Sequence, residues 1–321
     1  MDVEKNITGI SENLSKSIIE KATVAAQAND ELPLSKMKVA ISISESEEIE
    51  DLGLSDYHLK DISIEIARYL IVNGAMMLYG GDLRHEGYTS IFSELANQYK
   101  YLKSKADFFV NYFPFPLSQK ITLVERAAFK ANQVKMELLP AAKTLGRIDL
   151  AEGYNPIENK ADRYIIAECL SEMREKITSE SNARILIGGR QKEYVGYMPG
   201  VYEEALYSIR LKQPIYLIGG FGGVTKSIIS LILNKKSDVF TNEFQFSSTF
   251  LMEFKEYSKM KSSTTLDYDA LNAEIAELSL EIIANRNGLS IEENQILFES
   301  TNIHELVFLI IKGLLNLSAK K

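Results

Sequence analysis

Hydrophobic and polar positions along the chain form two alternating kinds of pattern. Short apolar runs predict buried strands, and they are KVAISIS, AMMLYGG, DFFVNYF, KMELLP, ARILIGG and PIYLIGG. Between them, apolar residues spaced three and four apart predict amphipathic helices, as in HLKDISIEIARYLIVNG and ADRYIIAECLSEMREKIT. Short apolar strands that alternate with helices are typical of a parallel sheet covered on both faces. We therefore predict an α/β fold: a Rossmann-like, doubly wound, mostly parallel sheet with added helices at both ends of the chain.

Changes in this pattern divide the chain into three parts. Residues 1–36 are polar with regularly spaced isoleucines and leucines, and they predict an N-terminal helical segment. Residues 37–235 carry the strands and helices of the Rossmann-like domain. Residues 236–321 show helical patterns only, and we predict an extension that packs on the domain. In it, EFQFSSTFLMEFKEYSK and YDALNAEIAELSLEIIANRNG each predict one helix, and Ser290 with Glu293 predicts a capping box at the start of another.

Charge and hydropathy narrow the classes of partner. The formal net charge of −8 argues against a nucleic-acid backbone as the main partner. The most apolar stretch, LVFLIIKGLLNL, is interrupted by Lys312 and Gly313 and is shorter than the roughly 20 residues that a membrane helix needs. We also expect no secretory signal, because the first residues lack a charged-then-apolar leader pattern. We expect no membrane partner and a cytoplasmic location.

The residues that commonly bind metals are few. The histidines at positions 58, 85 and 304 lie far apart, with no second histidine or cysteine at ligand spacing. The single cysteine, Cys169, lies in a helical pattern and is interpreted as a buried structural thiol. The sequence therefore predicts no metal site, and no cofactor is required.

A pair of glycines ends three of the predicted strands. MMLYGG is followed by DLRHEGYTS, RILIGG by RQKEYVGY, and IYLIGG by FGGVTKS. The carboxyl ends of parallel strands share one edge of the sheet, where ligands bind. Glycines there let backbone N–H groups approach a phosphate, and the helix that follows favours an anion at its N-terminus. The three strand ends together predict a pocket for a nucleotide or phosphosugar. The loop ESEEIEDLGLSD after the first strand is acidic and has no predicted role.

The predicted ligand-binding residues lie in and beside these loops. Arg84 and Arg190 suit a phosphate or carboxylate, although each could instead pair with a nearby acid. Asp82 either accepts hydrogen bonds from ribose hydroxyls or caps a turn, and Phe221 either stacks on a base or sugar or belongs to the core. The full predicted set is Gly80, Gly81, Asp82, Arg84, Gly188, Gly189, Arg190, Glu204, Gly219, Gly220, Phe221, Gly222 and Lys226.

Glu204 is the candidate catalytic residue. It follows Glu203 in the first turns of the helix predicted for GVYEEALYSIRLK, where the helix dipole favours acids. At the sheet edge, its carboxylate would hold ribose hydroxyls or stabilise or attack a sugar centre during N-glycosidic cleavage. Ribose binding is the preferred interpretation.

The stretches GGDLRHEGYT, GGR, PGVYEEA and IYLIGGFGG resemble the SLOG superfamily over roughly residues 37–320. That superfamily includes DprA-like proteins, the cytokinin-activating phosphoribohydrolases of the LOG group, and nucleotide-sensing domains of bacterial conflict systems. The resemblance implies a Rossmann-like pocket for nucleotide-derived ligands. In the Thoeris defence effector, a related domain binds a cyclic ADP-ribose signal and controls assembly of the attached effector.

The chain departs from the catalytic patterns of its apparent relatives. The LOG pattern PGGxGTxxE corresponds here to IGGFGGVTK, with Lys226 in place of the glutamate. The GTxxE pattern of nucleoside deoxyribosyltransferases aligns its nucleophilic glutamate with Glu204, but Val201 replaces the threonine. These differences weaken the enzyme hypothesis without removing it.

Three functional hypotheses follow. The first is a sensor for a nucleotide-derived signal, similar to ADP-ribose or cyclic ADP-ribose, which the resemblance places in antiphage defence. The ligand would control assembly of a homo-oligomer or of a separate effector chain. The alternative is an N-glycosidase acting on NAD or a nucleotide, with Glu204 as the catalytic carboxylate. The third is a structural partner protein with a vestigial pocket.

Overall fold

The computed structural model describes residues 32–81, 87–99, 107–150, 152–261 and 266–319. Most of the predicted N-terminal helical segment, residues 1–31, lies outside these ranges. The predicted boundaries between the three parts of the chain stay predictions.

Six strands of the described chain form one parallel sheet in the order β4-β3-β2-β1-β5-β6. The strands are β1 (Lys38–Ser44), β2 (Met76–Gly80), β3 (Phe109–Phe113), β4 (Val134–Leu138), β5 (Ala183–Gly188) and β6 (Ile215–Ile218). The chain starts at the centre, builds outward from β1 to β4, and returns to place β5 on the free side of β1. In this register, Ala40 lies opposite Arg184, and Ser44 lies opposite Gly188. The predicted Rossmann-like α/β fold is confirmed.

Thirteen α-helices accompany the strands in the described ranges. They are α1 (Asp56–Val72), α2 (Tyr88–Gln98), α3 (Leu117–Lys120), α4 (Leu123–Ala131), α5 (Lys160–Glu180), α6 (Gly200–Arg210), α7 (Gly223–Ile232), α8 (Asn242–Gln245), α9 (Thr249–Lys261), α10 (Tyr268–Ala276), α11 (Leu280–Asn287), α12 (Ile291–Glu299) and α13 (Ile303–Ser318). None of these helices combines the length and apolar character needed to cross a bilayer.

Helices cover both faces of the sheet because alternate strand residues point to opposite sides. On one side of β2, the Tyr79 ring meets the Phe92 ring of α2 edge-on, with the centroids 5.5 Å apart. On the other side, Leu78 packs in a cluster with Met173 and Ile177 of α5. The sheet is therefore doubly wound.

Capping residues determine where several helices begin. The predicted capping box of Ser290 and Glu293 is confirmed at the start of α12. A second box, formed by Thr122 and Glu125, starts α4, a helix for which we made no prediction. The prediction of two long helices after residue 236 is wrong, because each is divided in two in the structure, into α8 and α9 and into α10 and α11. Ser279 caps the start of α11 by accepting a hydrogen bond from the Ile282 N–H, and so separates α11 from α10.

The helices after β6 attach to the sheet edge through a buried asparagine pair. Asn287 donates to the Ile215 carbonyl oxygen at 3.0 Å and to the Asn294 side-chain oxygen at 2.7 Å. Its own carbonyl oxygen accepts from the Tyr216 hydroxyl at 2.7 Å. Both asparagine side chains are fully buried. These bonds fix α11 and α12 against the edge strand β6.

Replacement of Asn287 by Leu tests this attachment. The substitution leaves the buried polar groups of Ile215, Leu289 and Asn294 without their partner, so we expect a loss of about 3 kcal/mol in the free energy of unfolding. Urea denaturation measures it. Asn316→Ala is the matched control, because it removes an exposed asparagine bond to the neighbouring Gly288. Equal small losses in both variants would contradict a structural role for Asn287.

Candidate functional site

The strand order creates a crevice between the carboxyl ends of β1 and β5. The connection from β1 leads toward β2, and the connection from β5 leads the opposite way toward β6. In open α/β sheets such a reversal of direction is where ligands bind. A cavity of about 440 Å³ lies there, which we call the switch-point cleft. Its lining residues are Glu45, Ser46, Glu47, Ile49, Glu50, Asp56, Arg190, Lys192 and Glu193.

Glu47, in the acidic loop after β1, holds the loop that follows β5. Its carboxylate accepts hydrogen bonds from the backbone N–H groups of Gln191 and Lys192, at 2.9 and 3.0 Å. The backbone N–H of Arg190 donates to the Ser44 hydroxyl at 3.0 Å. Consecutive N–H groups in a loop form an anion-binding concavity. In this structure the anion is a side chain of the protein itself.

Glu48 plays the same role at the next loop, which follows β6. Its carboxylate accepts a hydrogen bond from the Gly223 N–H at 3.0 Å, at the N-terminus of α7. Gly222 has a φ of +73°, and a Cβ atom there would lie 2.7 Å from the Glu48 carboxylate. The Lys226 ammonium lies 3.9 Å from the same carboxylate. A phosphate could bind at this helix N-terminus only after Glu48 had moved away.

The predicted glycine pairs make room for the protein's own backbone and side chains. A Cβ atom on Gly219 or Gly220 would collide with the carbonyl oxygens of Phe298 and Ser300, at the end of α12. Gly219 also donates its N–H to the Leu297 carbonyl oxygen at 3.2 Å. Chain segments of the C-terminal helices therefore contact this strand end.

The other two pairs are similarly crowded. A Cβ atom on Gly81 would overlap the Asn111 side chain, and one on Gly80 would lie 2.8 Å from Met173. One on Gly188 would lie 2.6 Å from the Ser44 carbonyl oxygen, and one on Gly189 would lie 2.7 Å from Val224. Close packing thus explains why these positions are glycine. Their predicted role in ligand binding stays a prediction.

The remaining predicted residues separate into different environments. Arg190 lines the cleft and pairs with Glu45, with its Nη2 atom 2.7 Å from the carboxylate and its side chain 45% exposed. Phe221 is 1% exposed and belongs to the hydrophobic core. Asp82 and Arg84 lie outside the described residues, so their predicted roles are untested.

Glu204 lies in a buried ion-pair network between α5, α6 and the sheet. Its carboxylate is 3.1 Å from Nη1 of Arg184 and 3.7 Å from Nε of Arg174. Arg184 is 1% exposed and also donates to the hydroxyls of Ser42, Thr178 and Ser208. Glu204 is not among the residues that line the cleft. Two arginines therefore contact the carboxylate that we predicted to bind ribose or to act in catalysis.

The backbone of Glu193 has an unusual conformation, which the sequence does not reveal. Its φ is +54°, in the left-handed region that side chains other than glycine seldom adopt. Of the other non-glycine residues with positive φ in the described chain, Gln133, Lys212 and Asn234, each lies just after a helix, where this conformation is common. Glu193 lies in the middle of the loop that lines the cleft. Such backbone strain is concentrated at functional sites.

Within the described ranges, no group of three or more histidine, cysteine or acidic side chains is arranged to hold a metal ion. Cys169 is buried, and burial raises the pKa of its thiol to about 11. The thiol is therefore protonated at neutral pH and is a poor nucleophile.

Replacement of Glu47 by Ala tests the contact between the two loops. The backbone N–H groups of Gln191 and Lys192 lose a charged acceptor, and we expect their hydrogen exchange to accelerate by about tenfold, since such bonds contribute roughly 1.5 kcal/mol or more. Hydrogen–deuterium exchange by NMR measures it. Glu50→Ala removes a neighbouring carboxylate of the same cleft and is the control. Unchanged exchange in the Glu47 variant would show that the carboxylate does not hold the loop.

Comparison with known proteins identifies the family of the chain. The family model described as SLOG cluster2 matches residues 33–297, which is most of the 321-residue chain. The match spans β1 to β6 and continues through α11. A comparison with curated protein sequences finds no significant match. The cleft at the carboxyl ends of β1 and β5, on an all-parallel Rossmann-like sheet, thus lies within the matched segment, and the chain belongs to the SLOG cluster2 family.

Proposed function

We propose that the protein binds a nucleotide-derived ligand of the ADP-ribose type in the switch-point cleft. The observation that supports this proposal is the cavity itself, since loops from both strands at the change of direction form its walls. Membership of a SLOG family suggests nucleotide-related binding or glycosidase-like chemistry. Fold and family indicate the class of ligand, whereas the lining residues indicate how it would be held.

The charges of the cleft favour a sugar over a phosphate. Five carboxylate side chains and two basic side chains line it. Carboxylates accept hydrogen bonds from ribose hydroxyls, as in dinucleotide-binding folds, but repel phosphate oxygens. We therefore place the ribose of the ligand against Glu45 and Glu50, with the Arg190 guanidinium as a hydrogen-bond donor.

The alternative is cleavage of the N-glycosidic bond of NAD or a nucleotide, with Glu204 as the catalytic carboxylate. This chemistry requires the carboxylate to reach the sugar. In the structure, Glu204 contacts Arg184 and Arg174 instead. Binding without turnover is therefore the function that the geometry supports better, and release of a free base stays the test of the alternative.

Arg190→Ala tests ligand binding in the cleft. We expect wild-type protein to bind ADP-ribose or cyclic ADP-ribose in isothermal titration calorimetry, and the variant to bind at least about tenfold more weakly, because a charged hydrogen bond is lost. Arg210→Ala is the matched control, since Arg210 forms a similar ion pair with Glu274 and is 47% exposed. Both substitutions remove surface ion pairs and change folding stability by about 1 kcal/mol or less.

The same samples distinguish the hypotheses. Equal binding by wild type and Arg190→Ala would contradict the proposed position of the ligand. Absence of binding by every nucleotide tested would contradict the proposed function. Release of nicotinamide from NAD that Glu204→Gln abolishes would establish the glycosidase instead.

We propose further that ligand binding controls self-association, as part of an antiphage response, for which the resemblance to conflict-system sensors is the support. An apolar groove of about 400 Å³ between α1 and α13 offers a surface for a second copy of the chain. Phe308 lines it and is 65% exposed. Exposed apolar patches of this kind are common at protein interfaces.

Phe308→Asp tests this part of the proposal. We expect ADP-ribose to promote dimers or larger oligomers of the wild type in analytical ultracentrifugation. A charge in the groove would shift the association constant by at least about tenfold toward monomer, because a buried unpaired carboxylate is costly. Leu123→Asp, on exposed α4, is the control. Monomers in every sample, or equal effects of both substitutions, would contradict assembly through this groove.

A further inference from the structure

A second cavity adjoins the switch-point cleft and contains a buried, unpaired arginine. The cavity measures about 330 Å³ and lies between the start of α5, the loop after β5 and helices α8 and α9. Arg163, in the first turn of α5, lines it together with Lys192, Tyr194, Phe244 and Phe250. We call it the Arg163 pocket.

Arg163 is buried without an acidic partner. Its residue is 5% exposed, and its Nε atom has no hydrogen-bond partner. Its Nη2 atom donates to the carbonyl oxygens of Tyr194 at 2.7 Å and Gly196 at 3.4 Å. No carboxylate of the described chain forms an ion pair with it, in contrast to the buried Arg174 and Arg184. Loss of hydration on burial lowers the pKa of its guanidinium. Buried charges are ordinarily paired with an opposite charge, and the described side chains supply none for this arginine.

Aromatic rings surround the guanidinium and position it. The centre of the guanidinium lies 4.9 Å from the ring centroid of Phe254, 5.5 Å from that of Tyr194 and 5.7 Å from that of Phe250. Rings at these distances stabilise a cation without neutralising it. The arrangement keeps a full positive charge at the cavity wall.

The two cavities share part of one wall. Lys192 and Glu193 line both the switch-point cleft and the Arg163 pocket. The Lys192 ammonium lies 4.6 Å from the centroid of the Phe244 ring. The left-handed conformation of Glu193 bends the chain at this shared wall. A ligand longer than a nucleoside could therefore reach both cavities around Lys192.

We propose that the Arg163 pocket binds the phosphate groups of the ligand, with Arg163 and Lys192 as the cations, while the ribose lies in the switch-point cleft. This inference rests on the proposed function, and it places the phosphate groups outside the glycine loops. In the loops after β5 and β6, Glu47 and Glu48 already accept hydrogen bonds from backbone N–H groups. In the Arg163 pocket, an anion would find an unneutralised guanidinium.

Arg163→Met tests the assignment with three ligands: ADP-ribose, adenosine and inorganic pyrophosphate. Titration calorimetry should show roughly 10- to 100-fold weaker binding of ADP-ribose to the variant and adenosine binding changed less than about twofold, because only the former carries phosphate. Stabilisation of the wild type by pyrophosphate should be lost in the variant. The melting temperature of the ligand-free protein should fall by no more than about 2 °C, since removal of an unpaired buried charge offsets part of the loss of the hydrogen bonds to the Tyr194 and Gly196 carbonyl oxygens. Arg126→Met, on the surface of α4, controls for the change in net charge.

Each other outcome has a defined meaning. A melting temperature lowered by several degrees, with ADP-ribose binding intact, would show that Arg163 is structural and would overturn the inference. Equal weakening of adenosine and ADP-ribose would overturn the phosphate assignment but leave the proposed function standing. If neither ADP-ribose nor adenosine binds, the proposed function fails. Stabilisation by pyrophosphate that depends on Arg163 would then support the anion pocket alone. Absence of that stabilisation would contradict the anion pocket as well.

Discussion

Two glutamates of the loop after β1 hold the carboxyl edge of the sheet together. Glu47 binds the backbone of the loop after β5, and Glu48 binds the start of α7 after β6. Backbone N–H groups at loops and helix termini need acceptors, and a carboxylate is a strong one. These contacts determine the shape of the cleft, the position of Lys192 and Glu193, and thereby the wall between the two cavities. At the loops after β5 and β6, phosphate binding would have to compete with these two carboxylates.

Much of the fold follows from local pattern. The apolar runs predicted all six strands, including β4 at the edge, and the alternation with helices predicted how they are covered. The T-x-x-E pattern at Thr122 and Glu125 is typical of a capping box, but apolar periodicity alone does not predict α4, the helix that it starts. The breaks before α9 and α11 depend on packing against the domain and on a serine cap, which helical periodicity does not reveal.

The site was less predictable for a physical reason. Glycine pairs mark places where the backbone must be approached closely, but the sequence does not say by what. At Gly219 and Gly220 the approaching group is the end of α12, and at Gly222 it is Glu48. Likewise, an acid in the first turns of a helix can face a ligand or a buried arginine, and Glu204 faces Arg184 across a distance that only the folded chain defines. The pairing state of Arg163 depends on the same long-range packing.

The contact between α12 and the end of β6 has a mechanical consequence. The carbonyl oxygens of Phe298 and Ser300 rest on Gly219 and Gly220 at separations that no side chain would permit, so backbone touches backbone. A contact between backbone atoms has no side-chain rotamers that could adjust to a displacement. The groove beside α13 begins only a few residues beyond it. If the edge of the sheet shifts when a ligand enters, α12 and α13 would move with it as one rigid unit. The response of the groove to the ligand would then depend on the stiffness of the main chain and not on the rearrangement of side chains.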